Sequence, residues 1–155
     1  MLSIAEQEQA RPKAKTETFH KEERIVSRKQ IEMLFGGGTS QSLAAFPLRV
    51  VYMTQALPMG EAPVQILVSV PKKHFKHAVD RNHVKRQVRE AYRLNKAILY
   101  DALQPTPNTH HPSPNLQLSL AFIWLSNQHY PTPVVTQRVV SLLQRIAEKV
   151  KVKSE

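Results

Sequence analysis

No cysteine occurs in the 155 residues. That excludes disulfides, thiolate zinc sites and a thiol nucleophile, and it suits a reducing compartment, so we expect a cytoplasmic protein. Aromatic residues make up only 6% of the chain, too few for an extended stacking platform for bases. No apolar run approaches the roughly 18 residues a membrane span needs, so no membrane partner is expected. The opening MLSIAEQEQARPKAK has no apolar core and carries acids early, unlike a signal peptide. The most telling shortage is of acid. Twelve Asp and Glu face 22 Lys and Arg, for a net charge of +10 and a pI near 10.1. Such an excess favours polyanions: nucleic acid or an anionic membrane surface.

The same shortage argues against catalysis by the chain itself. Between Ile25 and Val150 the only carboxylates are Glu32, Glu61, Asp80, Glu90, Asp101 and Glu148. None of them forms a pair spaced for a shared metal ion. There is no Gly-x-Ser-x-Gly, and Gly36–Gly38 lacks the Lys-Ser/Thr of a phosphate loop. His74 and His77 lie among lysines that disfavour a cation, and His110 and His111 lie in a proline-rich stretch without a carboxylate. We therefore expect no catalytic residues and no metal ligands on the protein.

What is present reads as one domain over residues 18–151, between a disordered tail at 1–17 and a short tail at 152–155. Ser27 and Gln30 form a capping box, with Val26 and Ile31 as its hydrophobic staple. The helix they start ends at Phe35, where Gly36 can take the left-handed position, and Ile31, Leu34 and Phe35 share a face. Thr39–Ala45 reads as either a short strand or a loop. Pro47–Gln55 and Val64–Val70 are β-branched strands joined through Ala56–Pro63. Lys72–His77 is a basic connector into a helix over Ala78–Leu103. Gln104–Asn115 holds four prolines and reads as an exposed loop. Leu116–Leu125 is a buried strand. Thr132 and Pro133 then start an amphipathic helix carrying Val135, Val139, Leu142, Leu143, Ile146 and Val150, and its basic end at Lys149–Lys153 is expected to fray. The fold class is α+β: a two-layer sandwich of a four-stranded, mostly antiparallel sheet and helices, in the order α-β-β-β-α-β-α.

The chain is organised around AVDRNHVKRQVREAYRLNK, residues 78–96. At about 100° per residue, Arg81, Lys85, Arg89, Arg93 and Lys96 fall on one side, flanked by Asn82 and Arg86. Val84, Val88, Ala91, Leu94 and Ile98 fall on the other. Solvated helix faces usually mix charges at i, i+4, whereas here like charges recur, each pair costing a few tenths of a kcal/mol. A stripe that works against its own helix points to a polyanion, best a nucleic acid. The arginine fork suits phosphate, and Asn82 can reach a base edge or a 2′-hydroxyl. Composition and spacing do not choose between RNA and DNA.

The string Lys72-Lys73-His74-Phe75-Lys76-His77-Ala78-Val79-Asp80-Arg81-Asn82-His83-Val84-Lys85-Arg86, with Arg89-Glu90-Ala91-Tyr92-Arg93 after it, resembles the signature of the bacterial ribonuclease P protein component. Glu23-Arg24-Ile25, Phe35 and Gly38 are similar to that family's N-terminal block. The resemblance implies a ribonucleoprotein whose RNA subunit is the catalyst. It uses Mg²⁺ to remove the 5′ leader of precursor tRNA. It further implies that the protein binds the catalytic RNA and precursor tRNA and needs no obligate protein partner. The resemblance also implies a left-handed strand–helix–strand crossover, against the usual handedness. By the same resemblance Lys72, Lys73, Lys76, Arg81, Asn82, His83, Lys85, Arg86, Arg89 and Arg93 are RNA-binding. Ile31, Phe35 and Tyr52 would line a leader cleft between the first helix and the sheet. Two residues depart from the pattern: His83 stands where arginine is usual, and Ile31 where phenylalanine is common. The alternative is another basic RNA-binding protein of similar fold, such as a ribosomal protein or an RNA chaperone.

Overall fold

LQLSLAFIW, without charge, becomes one of the two strands with neighbours on both sides. In the computed structural model this strand, β4 (Leu116–Trp124), lies between β2 (Leu48–Ala56) and β3 (Val64–Ser69), and β1 (Gln41–Ala45) forms the far edge beside β2. The structure describes Phe19 and residues 21–36, Gly38, 40–56, 62–103 and 116–154. The tail at 1–17, most of the Ala56–Pro63 connection and the proline-rich 104–115 stretch lie outside the described residues. β1 and β4 both run antiparallel to β2, while β3 runs parallel to β4, with Val50 and Val68 opposite Phe122 on its two sides.

Period-two alternation gives each strand two faces. On one, Leu48, Val50, Leu118, Leu120, Phe122, Ile66 and Val68 join a continuous buried core with three helices. These are α2 (Ala78–Asn95), α3 (Ala97–Leu103) and α4 (Thr132–Ser154). Val84, Val88 and Tyr92 of α2, Leu99 of α3, and Val139, Leu142 and Ile146 of α4 are fully buried there. On the other face, Val51, Met53 and Ala121 meet Ile25 and Leu34 in a smaller cluster beneath α1 (Arg28–Gly36). A 3-10 turn at Lys21–Glu23 precedes α1, and Arg24 bridges to Ile66 of β3.

Several local expectations change. Thr39–Ala45 resolves to a strand from Gln41. The long basic helix breaks at Lys96, where Leu99 and Tyr100 both donate to the Lys96 carbonyl. Ser27 does cap α1, its Oγ accepting from the Gln30 amide at 3.4 Å. The reciprocal half of the box is missing, because the Gln30 side chain donates instead to Gln65 Oε1 at 2.8 Å and Ser119 Oγ at 2.7 Å. Val26 is 85% exposed, so no staple forms. Gly36 stays helical, and it is Gly38 that takes a positive φ of 69°. The last helix spans Thr132–Ser154.

Candidate nucleic-acid interface

α2 buries Val84, Gln87, Val88, Ala91 and Tyr92 and turns its cations outward. Asn82, His83 and Arg86 are exposed; Arg81, Lys85, Arg89 and Arg93 are half-buried. Among the described residues, the side chains of Asn82, Lys85, Arg86 and Arg89 make no hydrogen bond or ion pair. They form a ridge of donors with no internal acceptor. Arg93 differs, since its guanidinium holds the Glu90 carboxylate at 2.6 Å.

Arg81 has another task. Its Nη1 donates to the carbonyls of Phe75, at 2.9 Å, and Lys76, at 3.0 Å. Phe75 is buried in the core, and His74 Nδ1 meets Asn127 Oδ1 at 2.7 Å. The connector is thereby pinned at three points, and Lys72, Lys73 and Lys76 stand exposed beside the start of α2. His83 packs edge-on against His129 at 5.2 Å. His129 in turn stacks on Phe75 at 4.5 Å and meets Asp80 Oδ1 at 3.1 Å. Nothing in the sequence pattern linked His129 to this helix, because the contact bridges residues far apart in the chain.

Lys96 is a correction. The helical wheel put it on the cationic side, but it is 3% exposed, and its Nζ lies 2.7 Å from Glu23 Oε1. The Tyr100 hydroxyl also donates to that oxygen, at 2.6 Å. Burial, reinforced by Glu23, holds the Tyr100 hydroxyl well above its usual range, so it remains a donor. The chain turns at Lys96, which carries the ammonium inward, and the ridge stops at Arg93. Leu94, assigned to the apolar side, is 51% exposed. Arg89 titrates below the ordinary arginine value, first through burial and then through the charge of Arg24.

The second candidate surface lies between α1 and the sheet. Leu34 is fully buried there, Ile31 packs against the Val51–Met53–Ala121 cluster, and Phe35 remains 50% exposed. Tyr52 is not part of it. Its neighbours Val51 and Met53 face α1, so alternation turns Tyr52 to the opposite face, where it is buried and donates to Gln41 Oε1 at 2.7 Å. The α1 face carries a polar set that sequence reasoning missed. Gln30 bonds Gln65 and Ser119, and Gln55 bonds the fully buried Gln117 at 2.6 Å. Its signal was Gln117 and Ser119 alternating with leucines in LQLSL.

Among the described residues, no three His, Asp or Glu side chains converge on a metal-sized space. Among the same residues, no helix is long and apolar enough to cross a membrane.

A pinned lysine connector running into Lys85, Arg86 and Arg89, which have no partner among the described residues, gives this α+β sandwich a surface suited to a polyanion. The family model for ribonuclease P matches residues 19–105. The ribonuclease P protein component of Porphyromonas gingivalis is 39% identical over 130 residues, covering 84% of this chain and 87% of that one. The component from Nitrosococcus oceani is 32% identical over 106 residues, covering 66% and 84%. The solved structure of the RNase P protein from Thermotoga maritima superposes with a TM-score of 0.58 at 21% identity, covering 79% of this chain and 96% of that one. The chain belongs to the ribonuclease P protein component family.

Proposed function

We propose that this chain is the RNA-binding subunit of a cytoplasmic ribonuclease P, in which a catalytic RNA cleaves the 5′ leader from precursor tRNA. The observation that carries this reading is the ridge of Asn82, Lys85, Arg86 and Arg89, which has no internal acceptor among the described residues and lies within the segment matched by the family model. Arginine forks there suit the phosphates of a structured RNA. Lys72, Lys73 and Lys76 extend the same positive surface beyond the helix start, with Arg81 as the residue that shapes their backbone.

In this reading the leader of precursor tRNA lies against the α1 face of the sheet. Ile31 and the exposed ring of Phe35 offer apolar contact, while Val51 and Met53, buried beneath α1, support that helix from the sheet. The chain supplies no catalytic side chain. Mg²⁺ is held by the RNA subunit, where it supplies the charge stabilisation that phosphodiester cleavage requires. The protein's contribution is positional: it lowers the repulsion between two RNAs and holds the leader.

The test is cleavage of precursor tRNA by the catalytic RNA at low Mg²⁺, with and without the purified chain. We expect a clear rate increase, together with preference for precursor over mature tRNA. No increase would overturn the reading. Equal affinity for ribosomal RNA fragments would point instead to a general RNA-binding role.

A further inference from the structure

Arg24 is absent from the ridge as read from the sequence, and the fold brings it there. Its two neighbours are both locked in place. Glu23 is 4% exposed and pairs with Lys96 at the end of α2, and Ile25 is 5% exposed beneath α1. The backbone between them is bridged to β3, with the Ile25 amide donating to the Ile66 carbonyl at 3.0 Å. Arg24 is thereby held outward at the edge of the sheet that α2 covers. Its guanidinium lies over the Phe19 ring, 5.4 Å from the centroid, and Phe19 sits edge-on against Tyr92 of α2 at 6.0 Å. Arg89 is one helical turn before Tyr92, and the Arg24 charge is felt there. Two guanidinium groups from different segments therefore share one side of the molecule. Neither makes an ion pair among the described residues, and the nearby Glu23 is committed to Lys96 and Tyr100. Like charges placed together without a counter-ion cost stability unless an anion joins them.

We propose that Arg24 and Arg89 form a two-segment clamp on a single phosphodiester of the docked RNA, with Phe19 as the platform that holds the Arg24 fork flat. The clamp rests on the proposed role of α2 in binding the catalytic RNA. It extends that surface from one helix to the N-terminal segment, and the Glu23–Lys96 pair sets the spacing between the two arms. Two planar forks on one phosphate supply directed hydrogen bonds as well as charge.

The test is filter binding of the full chain to the catalytic RNA across a salt series, for wild type, Arg24→Gln, Arg89→Gln and the double variant. Each single variant should bind roughly tenfold more weakly, as expected for loss of a charged hydrogen bond. Each should also lower the salt slope by about one. The double variant should be no more than about twofold weaker than either single one, because the arms share one phosphate. Arg24→Lys, which keeps the charge over Phe19, should restore the slope but not the full affinity. Wild-type behaviour of Arg24→Gln, multiplicative losses in the double variant, or an unrestored slope in Arg24→Lys would each overturn the clamp. If the wild type fails to prefer the catalytic RNA over ribosomal RNA fragments while these variants still lose binding to both, the clamp stands and the ribonuclease P role falls.

Discussion

The two faces of the sheet are built from the same four strands and treated in opposite ways. One is sealed by α2, α3 and α4, and its Leu120, Phe122, Leu142 and Ile146 are fully buried. The other is covered in part by the nine residues of α1, leaving Phe35 and Met33 exposed and a set of glutamines bonded to one another. The sealed face holds the fold together and, through α2, fixes the cations to a rigid support. The partly covered face leaves the Phe35 and Met33 side chains at the surface. A sealed core and a more open surface are thus separated by a single sheet.

The sharpest way to break that contrast is Phe122→Ala on the sealed face. We expect a loss of about 4 kcal/mol, a large fraction of the roughly 5–15 kcal/mol that holds such a domain folded, read as a marked fall in the urea midpoint. Glu23→Ala comes next. Removing the closest partner of buried Lys96 should cost about 3 kcal/mol. Urea unfolding measures it, and a loss below about 1 kcal/mol would mean that the pair is not what holds the end of α2.

Phe35→Ala asks the same question of the open face. Its stability should change by less than about 1 kcal/mol. The preference for precursor over mature tRNA should fall roughly tenfold if the ring stacks on leader bases; an unchanged preference would remove Phe35 from the leader contact. The smallest effect belongs to Glu90→Gln on the solvent side of α2. The Arg93 hydrogen bond holds the Glu90 carboxyl below its usual value. Its folded pKa is therefore below its unfolded one, so its contribution is present above the unfolded value, near 4.5, and is lost as pH falls through the folded value. Both side chains are well exposed, at 32% and 53%, so the variant should cost no more than about 0.5 kcal/mol at pH 7. That difference should shrink in urea melts as the pH is taken progressively below 4.5.

Much of the fold was legible because its signals are local. The alternation in PLRVVYMTQ and VQILVSV, the apolar run of LQLSLAFIW and the 3.6-residue spacing from Val135 to Val150 each specify an element without reference to the rest of the chain. The cationic ridge was legible for the same reason, and so were Asn82, Lys85, Arg86 and Arg89 as its outward members. The errors share a different cause. Tyr52 was placed on the wrong face because alternation says which residues lie together, not which set meets α1. Lys96 was placed on the ridge because its partner Glu23 lies 73 residues away. His83 contacts His129 by the same kind of distant closure.

By itself the sequence determined most of the elements, the charge imbalance and the motif that marks the family. These follow from residue type and short-range periodicity, which act before any tertiary contact forms. Tertiary structure alone decided which cations remain available to a partner. Lys96 is withdrawn by Glu23, Arg81 is spent on two carbonyls, and Arg24 is carried to Arg89 across the edge of the sheet. Those outcomes depend on the distance between groups remote in sequence, and Coulomb and hydrogen-bond energies are set by that distance rather than by order along the chain.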